Sequence, residues 1–180
     1  FHTHAHDDHF AGLTTLVRSD HHIKYYATPL VRQSVMKKLS VLMGIPERQF
    51  TNYFEFHDLD FNKWNNLDGL EVMPVFSAHP VETNIFFFRT FWHDGYRSYA
   101  HFADIIALKE LKKMVTEDPG APGISPVLYN RLKEVYQHPV NIKKIDAGGG
   151  MIHGDSEDFA GDKSDKIILA HIAGELSDRD

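Results

Sequence analysis

The residues best suited to chemistry lie in one short stretch near the start of the sequence, His-Thr-His-Ala-His-Asp-Asp-His at positions 2–9. Four histidines and two aspartates fall within it. Imidazole and carboxylate groups are the usual protein ligands of zinc, iron and manganese. The alternatives are a histidine tag or a solvated polar loop, but tags are usually unbroken histidine runs, and this stretch alternates and leads into an apolar segment. The stretch therefore predicts a metal site.

The spacing of this stretch sets its register. His4-x-His6-x-Asp8-His9 resembles the His-x-His-x-Asp-His signature of the metallo-β-lactamase fold superfamily. A start at His2 would put the Asp-His pair out of step, so we interpret His2 as a strand or loop residue. Alternate residues of an extended segment share a face, so His4 and His6 can bind one ion. Asp8 and His9 follow the turn into a helix and point towards a second ion.

The resemblance implies three further ligands in a set order: a histidine, an aspartate and a histidine. His79 follows a predicted strand, and a plain turn histidine is its alternative. Asp104 ends another predicted strand, where it could also be a helix N-cap. His171 ends an apolar strand, and a core histidine is its alternative. The resemblance thus implies a first metal bound by His4, His6 and His79, a second bound by Asp8, His9 and His171, and Asp104 as the bridge.

Among the branches of this superfamily, the pattern is closest to the phosphodiesterase and tRNA-processing enzymes, because every ligand other than the aspartates is histidine. Lactamases proper usually carry a cysteine in one motif, and this chain has none. Flavodiiron oxygen reductases usually have glutamate where His6 stands. A di-iron redox protein, or a sensor of O₂ or another small molecule, remains the alternative function. A scaffold that kept the fold and lost its chemistry is disfavoured by the full ligand set.

The expected activity is hydrolysis of a phosphodiester or another ester by a binuclear centre. Two divalent ions (zinc first, iron or manganese as alternatives) would lower the pKa of a bridging water towards ~7, and the hydroxide would attack a phosphorus or carbonyl centre. Asp8 or Asp7 could orient that water. His153 follows the glycine run 148–150, whose N–H groups can cradle an anionic oxygen, and would protonate the leaving group or hold the small-molecule or phosphoester substrate. A hairpin turn with a surface histidine is the alternative for His153.

Composition limits the class of protein. A chain of 180 residues suits one domain, which we place at residues 1–180. A net charge of −6 argues against a broad nucleic-acid-binding surface. The absence of cysteine excludes disulfides and thiolate metal sites, and it fits a reducing compartment, so we predict a cytoplasmic protein. No apolar run is as long as a membrane span.

The alternation of strands and helices predicts an α/β fold, an αββα sandwich of two sheets. Some TIM-barrel metallohydrolases also open with His-x-His, but a barrel typically takes ~250 residues, and the strand-rich region 50–92 does not fit eight βα units. The predicted strands are residues 23–27, 53–56, 70–77, 84–92, 97–102, 142–145 and 166–170, and the predicted helices are 10–18, 28–43, 105–115 and 125–136, with Asp8 as the N-cap of the first.

Other aromatic residues and histidines are assigned supporting roles. We interpret His101 as a structural residue or as one that supports a metal ligand. The remaining predictions are core positions for Phe86, Phe88, Phe91 and Trp92, and surface positions for His21, His22, His57, His93 and His138.

The position of the metal motif suggests that more of the fold exists than these residues supply. We interpret Phe1–Thr3 as the end of a buried strand, and the resembled fold places several strands before this motif. We therefore expect residues 1–180 to form the larger, C-terminal part of the domain. The N-terminal strands would come from the same polypeptide or from another chain, and a homo-oligomer is compatible with this.

Overall fold

The computed structural model describes residues 1–172, along which helices alternate with strands. The helices are α1 (Asp7–Phe10), α2 (Pro29–Met43), α3 (Leu108–Lys113) and α4 (Pro126–Tyr136). The strands are β1 (Ile23–Ala27), β2 (Phe54–Asp58), β3 (Asn65–Leu67), β4 (Leu70–Phe76), β5 (Asn84–Trp92), β6 (Gly95–His101), β7 (Ile142–Asp146) and β8 (Lys166–Ala170). Short 3₁₀ turns lie at Ala11–Thr15, Glu47–Asn52 and Ser156–Phe159.

The strands form two sheets. β1 and β2 pair in parallel, and β3 to β8 form a six-stranded sheet in sequence order. Its strands β3 to β6 are antiparallel neighbours, whereas β6, β7 and β8 run parallel. The apolar run 85–88 lies in the middle of this sheet, and Ile85, Phe86 and Phe87 are buried, as expected for a strand that is covered on both faces.

Three clusters of buried side chains define the layers. α2 turns Val31, Val35 and Leu39 towards the two-stranded sheet. A smaller cluster that includes Phe86 joins Tyr26 of β1 and Leu59, which follows β2, to the six-stranded sheet. The largest cluster packs α3 and α4 against the other face of the six-stranded sheet. The order helix, sheet, sheet, helix is the predicted αββα arrangement, and the α/β fold class is confirmed.

Helix α2 has the ends that its sequence predicts. Thr28 stands at the N-cap with Pro29 at the first position, which needs no N–H donor. Gly44 ends the helix with φ +64°, a left-handed conformation that glycine adopts without strain. Helix α4 likewise has Ser125 as its N-cap, and the hydroxyl of Ser125 accepts a hydrogen bond from the N–H of Leu128 at 3.1 Å.

Two predicted helices begin elsewhere. The segment predicted as a helix over 10–18 begins at Asp7 as a single α-turn and continues as 3₁₀. His6 is its N-cap, so the prediction of Asp8 as the cap is wrong. Helix α3 begins at Leu108 instead of 105 because the N–H groups of Ile105 and Ile106 are bound by Asp146 and by the carbonyl of Ala78. Asp104 is therefore not a helix N-cap.

Several predicted burials are also wrong. Phe91 and Trp92 are 68% and 57% exposed, because they lie at the tip of the β5–β6 hairpin, beyond the core. Phe1 is half-exposed in a segment that forms no regular strand, although its ring stacks on Tyr26 at 4.9 Å between centroids. His57, predicted at the surface, is only partly exposed, because its ring also stacks on Tyr26, at 4.7 Å between centroids.

Within residues 1–172, none of the helices combines the length and the apolar character needed to cross a membrane.

Candidate metal centre

Strand direction collects the candidate residues at one edge of the six-stranded sheet. β4, β6, β7 and β8 all run the same way, so their carboxyl ends meet there. His79 follows β4, Asp104 follows β6, Asp146 ends β7 and His171 follows β8. His171 adopts φ +58°, so the chain turns sharply as it leaves β8. Residues separated by more than ninety positions in the chain thus lie side by side.

Main-chain hydrogen bonds bring the N-terminal motif to the same edge. The N–H of His2 donates to the carbonyl of Tyr26 in β1 at 2.9 Å, and the carbonyl of Thr3 accepts from Asn84 at the start of β5 at 3.0 Å. The extended segment before His4 is therefore bound to both sheets. This is why the imidazole of His4 is fully buried at the sheet edge.

The loop that carries His79 is tied directly to the Asp104 segment. The hydroxyl of Ser77 donates to the main-chain oxygen of Asp104 at 2.8 Å, and the N–H of Ile106 donates to the oxygen of Ala78 at 2.8 Å. The two bonds join the residues directly before His79 to Asp104 itself and to the second residue after it. They set the spacing between the imidazole and the carboxylate.

The first cluster joins His4, His6, His79 and Asp104, which offer ligand atoms within 4.8 Å of one another. Nε2 of His4 and Nε2 of His79 lie 3.6 and 3.8 Å from Oδ2 of Asp104. Nδ1 of His6 lies 3.1 Å from Nε2 of His79. The side chains of His4 and His79 are inaccessible to solvent, so this cluster is enclosed by the fold.

The second cluster joins Asp8, His9 and His171 and is more open. Oδ2 of Asp8 lies 3.5 Å from Nε2 of His9 and 3.6 Å from Nε2 of His171. Nε2 of His9 in turn lies 3.3 Å from Oδ1 of Asp104. One oxygen of Asp104 therefore faces the first cluster, and its other oxygen faces the second.

The donor atoms fit a metal centre. In the part of the chain that the structure describes, Nε2 of His4 is buried and has no hydrogen-bond partner. Unpartnered buried polar atoms are rare in folded proteins because desolvation is costly. A cation would provide the missing partner. Imidazole and carboxylate donors without thiolate suit zinc, iron or manganese.

The protonation states also favour cation binding. Burial, followed by the nearby His9, lowers the pKa of His4 to about 3, and burial lowers the pKa of His79. Burial acts to raise the pKa of Asp104, but the neighbouring His9 outweighs it, so this pKa lies below its usual range. At neutral pH His4 and His79 thus have neutral imidazoles and Asp104 has an anionic carboxylate, the forms that bind metals.

Solved structures with the same architecture identify the fold. The metallo-β-lactamase fold protein YhfI from Bacillus subtilis superposes with a TM-score of 0.58 and 12% identity over 97% of this chain and 65% of its own. Unliganded yeast PDE1 superposes with a TM-score of 0.57 and 13% identity over 99% of this chain and 58% of its own. The chain has the metallo-β-lactamase fold.

The chain is also similar in sequence to a curated protein, cAMP/cGMP-dependent 3′,5′-cAMP/cGMP phosphodiesterase B of Dictyostelium discoideum. It is 27% identical over 110 residues, which are 61% of this chain and 10% of the relative. No protein-family model matches the sequence. The chain spans less than two thirds of the length of each of these three proteins.

Asp146 is a site residue that the sequence did not single out. It is fully buried at the sheet edge that carries the candidate ligands. Its Oδ2 lies 3.3 Å from Nδ1 of His153, and its Oδ1 lies 3.4 Å from Nδ1 of His171. The N–H groups of Gly148 and Gly154 also donate to it, at 3.0 and 3.1 Å. An aspartate directly after a predicted strand, residues 142–145, was the available signal. With Asp104, it forms a third group of potential ligands with His153 and His171.

Two supporting predictions need correction. The carboxylate of Asp7 pairs with Lys38 at 3.2 Å and belongs to none of the ligand clusters among the described residues, so a water-orienting role for it has no support. The N–H groups of Gly148 and Gly150 bond within their own loop, to Asp146 and to the carbonyl of Gly154, so they do not form an open anion cradle.

His101 contacts a neighbouring tyrosine, and His153 lies close to the candidate ligands. Nδ1 of His101 is 2.9 Å from the hydroxyl of Tyr99, and burial followed by the charge of Lys144 lowers the pKa of His101 to about 4. Nδ1 of His153 lies 3.9 Å from Oδ2 of Asp104, and its side chain is 26% exposed. His153 is therefore next to the centre and reachable from solvent.

Proposed function

We propose that this chain forms the catalytic centre of a metal-dependent phosphodiesterase that holds two divalent cations. The observation that carries the proposal is the buried carboxylate of Asp104, which lies 3.6 Å from His4 on one side and 3.3 Å from His9 on the other. Such a carboxylate is suited to bridging two ions. The resemblance to the Dictyostelium phosphodiesterase supports a phosphodiester as the substrate.

The two clusters divide the proposed ligands between the cations. When bound, two divalent ions would lower the pKa of a bridging water towards ~7 and stabilise negative charge on the phosphoryl oxygens. Zinc is the expected metal, with iron or manganese as alternatives. The carboxylate of Asp8 is 64% exposed, so it meets solvent at the second site. The proposed set is His4, His6 and His79 for the first ion, Asp8, His9 and His171 for the second, and Asp104 between them.

His153 and Asp146 are suited to proton transfer. The carboxylate of Asp146 faces Nδ1 of His153 at 3.3 Å and can accept a hydrogen bond from it, which orients the ring. Nε2 of His153 is then placed to donate a proton to the leaving oxygen of the substrate. Asp146 also faces Nδ1 of His171, which leaves Nε2 of His171 free to bind a cation.

A direct assay tests the function. The metal-loaded chain should hydrolyse bis(p-nitrophenyl) phosphate, and 3′,5′-cyclic AMP and cyclic GMP are the first natural phosphodiesters to examine. A lactone, a thioester and a lactam serve as controls with an acyl centre instead of a phosphoryl centre. Elemental analysis and a visible absorption spectrum identify the metal. A di-iron spectrum with no hydrolysis of any of these substrates would contradict the proposal and favour the redox or sensor alternative.

The leaving group tests the role of His153. His153→Gln should slow a substrate with an alkoxide leaving group by about 10²–10⁴-fold, the usual range for a general acid. A p-nitrophenolate leaving group needs little protonation, so its hydrolysis should change far less. Equal losses with both leaving groups would mean that His153 only shapes the site.

A further inference from the structure

Lys38, in the middle of α2, reaches the segment that carries the metal motif. Its Nζ donates to the main-chain oxygen of Ala5 at 2.6 Å and to Oδ1 of Asp7 at 3.2 Å. Ala5 is buried and stands between His4 and His6. The ammonium group of Lys38 thus contacts the backbone between His4 and His6, two proposed ligands of the first cluster. It also contacts the side chain of Asp7, the residue after His6.

The motif segment needs such external support. α1 has four residues, too few for a helix that is stable by itself. Its N-cap, His6, provides no side-chain hydrogen bond, although its carbonyl accepts the N–H groups of His9 and Phe10 at 3.0 and 3.2 Å. Tertiary contacts must therefore hold this turn. Phe10 supplies one of them by packing into the core, and Nζ of Lys38 lies 5.6 Å from the centroid of that ring.

The bond to Ala5 is the important one of the two. The carboxylate of Asp7 is 84% exposed, and solvent-exposed ion pairs contribute little. The oxygen of Ala5 belongs to a buried residue, and a hydrogen bond from a charged donor to a buried carbonyl is stronger and costly to lose. The position of Ala5 also fixes how far the imidazoles on either side of it can move.

We propose that Lys38 is a positioning residue, which holds the backbone of residues 4–8 in the conformation that binds the first cation. The inference rests on the proposed metal centre. Lys38 contacts neither cluster, and its role is exerted through Ala5. A hydrogen bond from outside the ligand set commonly changes metal affinity by ~10–100-fold.

The sign of the effect separates positioning from electrostatics. Removal of a positive charge near a cation site should tighten metal binding if charge alone matters. Removal of a positioning bond should weaken it. Lys37 is the matched control, because it is the exposed neighbour of Lys38 in α2 and lines the same open groove of about 700 Å³.

The first experiment measures zinc affinity by competition with a chromophoric chelator. Lys38→Met should weaken binding to the first site by about tenfold or more, whereas Lys37→Met should leave it unchanged or slightly tighter. Lys38→Arg keeps a donor and should restore part of the affinity. Zinc affinity in Lys38→Met that equals or exceeds that of the wild type would overturn the inference.

The second experiment uses the metal-free protein and needs no activity. Amide hydrogen exchange of His9 and Phe10 reports opening of α1, because both N–H groups donate to the carbonyl of His6. Exchange should become several-fold faster in Lys38→Met and stay unchanged in Lys37→Met. Unchanged exchange in Lys38→Met would reject the positioning role. A wild-type chain that binds zinc but hydrolyses no ester would instead reject the proposed function alone.

Discussion

The two halves of the candidate centre differ in how they are held. In the first cluster the side chains of His4 and His79 are inaccessible to solvent. In the second cluster the side chains of Asp8, His171 and His9 are 64%, 32% and 21% exposed. Main-chain hydrogen bonds to β1 and β5 fix the segment before His4, whereas His171 lies after the last strand of the sheet.

This difference indicates a division of labour. The inaccessible side chains of His4 and His79 make the first cluster preorganised, so its ion should bind tightly and exchange slowly. An open cluster gives water and substrate access to its ion, at the cost of weaker retention. Asp104 is common to both, so the two sites should be coupled through that single carboxylate.

Replacement of the shared carboxylate of Asp104 should weaken metal binding at both sites. Asp104→Ala should lower the occupancy of both sites together and reduce kcat/KM at least about a thousandfold, or roughly 4 kcal/mol of transition-state stabilisation. Metal per chain is measured by elemental analysis after dialysis, and circular dichroism checks the fold. Two metals per chain with full activity in Asp104→Ala would show that Asp104 does not bridge.

Loss of one ligand from each cluster should have unequal effects. His79→Ala should mainly empty the buried site, and His171→Ala should mainly empty the open site, so each variant should retain close to one metal per chain. The buried site should show the slower release to a chelator, so the metal left in His171→Ala should dissociate more slowly than that left in His79→Ala. Equal release rates would remove the distinction between the clusters.

Asp146 should affect the open cluster more than the buried one. Asp146→Asn keeps the shape of the side chain but weakens its hold on the rings of His153 and His171, so metal affinity at the second site should fall by ~10–100-fold. The first site should be nearly unchanged, because none of its imidazoles contacts Asp146 in the part of the chain described. Asp94→Asn, at the exposed β5–β6 hairpin, is the control. Equal weakening at both sites would contradict the assignment.

Acid should release the two ions in sequence. The neighbouring carboxylate of Asp104 raises the pKa of His9, so in the metal-free state His9 holds its proton at a higher pH than free imidazole does. Burial lowers the pKa of His4 to about 3, so protons compete for His4 only in strong acid. As the pH falls towards roughly 6.5, the second site should therefore lose its ion first. Stepwise acidification with a metal-sensitive dye checks this, and release in the opposite order would refute it.

Local sequence patterns determined a large part of the fold. The bounds predicted for β1, β5 and β8 agree with the structure, and so do the proline-initiated starts of α2 and α4. These features depend on signals within a few residues, such as the Thr-Pro start and glycine end of α2 or the continuous apolar run of β5. The spacing of residues 4–9 and the resemblance that it carries also named candidate ligands that lie close together in the structure, and their role as metal ligands stays a prediction.

Only the tertiary structure decided how those residues are supported. Asp146 accepts a hydrogen bond from the N–H of Ile105, which is 41 residues away in the chain. Lys38 donates a hydrogen bond to the main-chain oxygen of Ala5, which is 33 residues away. No periodicity of 2 or 3.6 residues encodes such pairs. The same holds for Asp7 and Asp8, which are neighbours in sequence but face Lys38 and the second cluster respectively. The motif specified the ligand types, whereas strand direction and side-chain packing determined which groups orient them, because contacts between distant segments exist only once the sheets have formed.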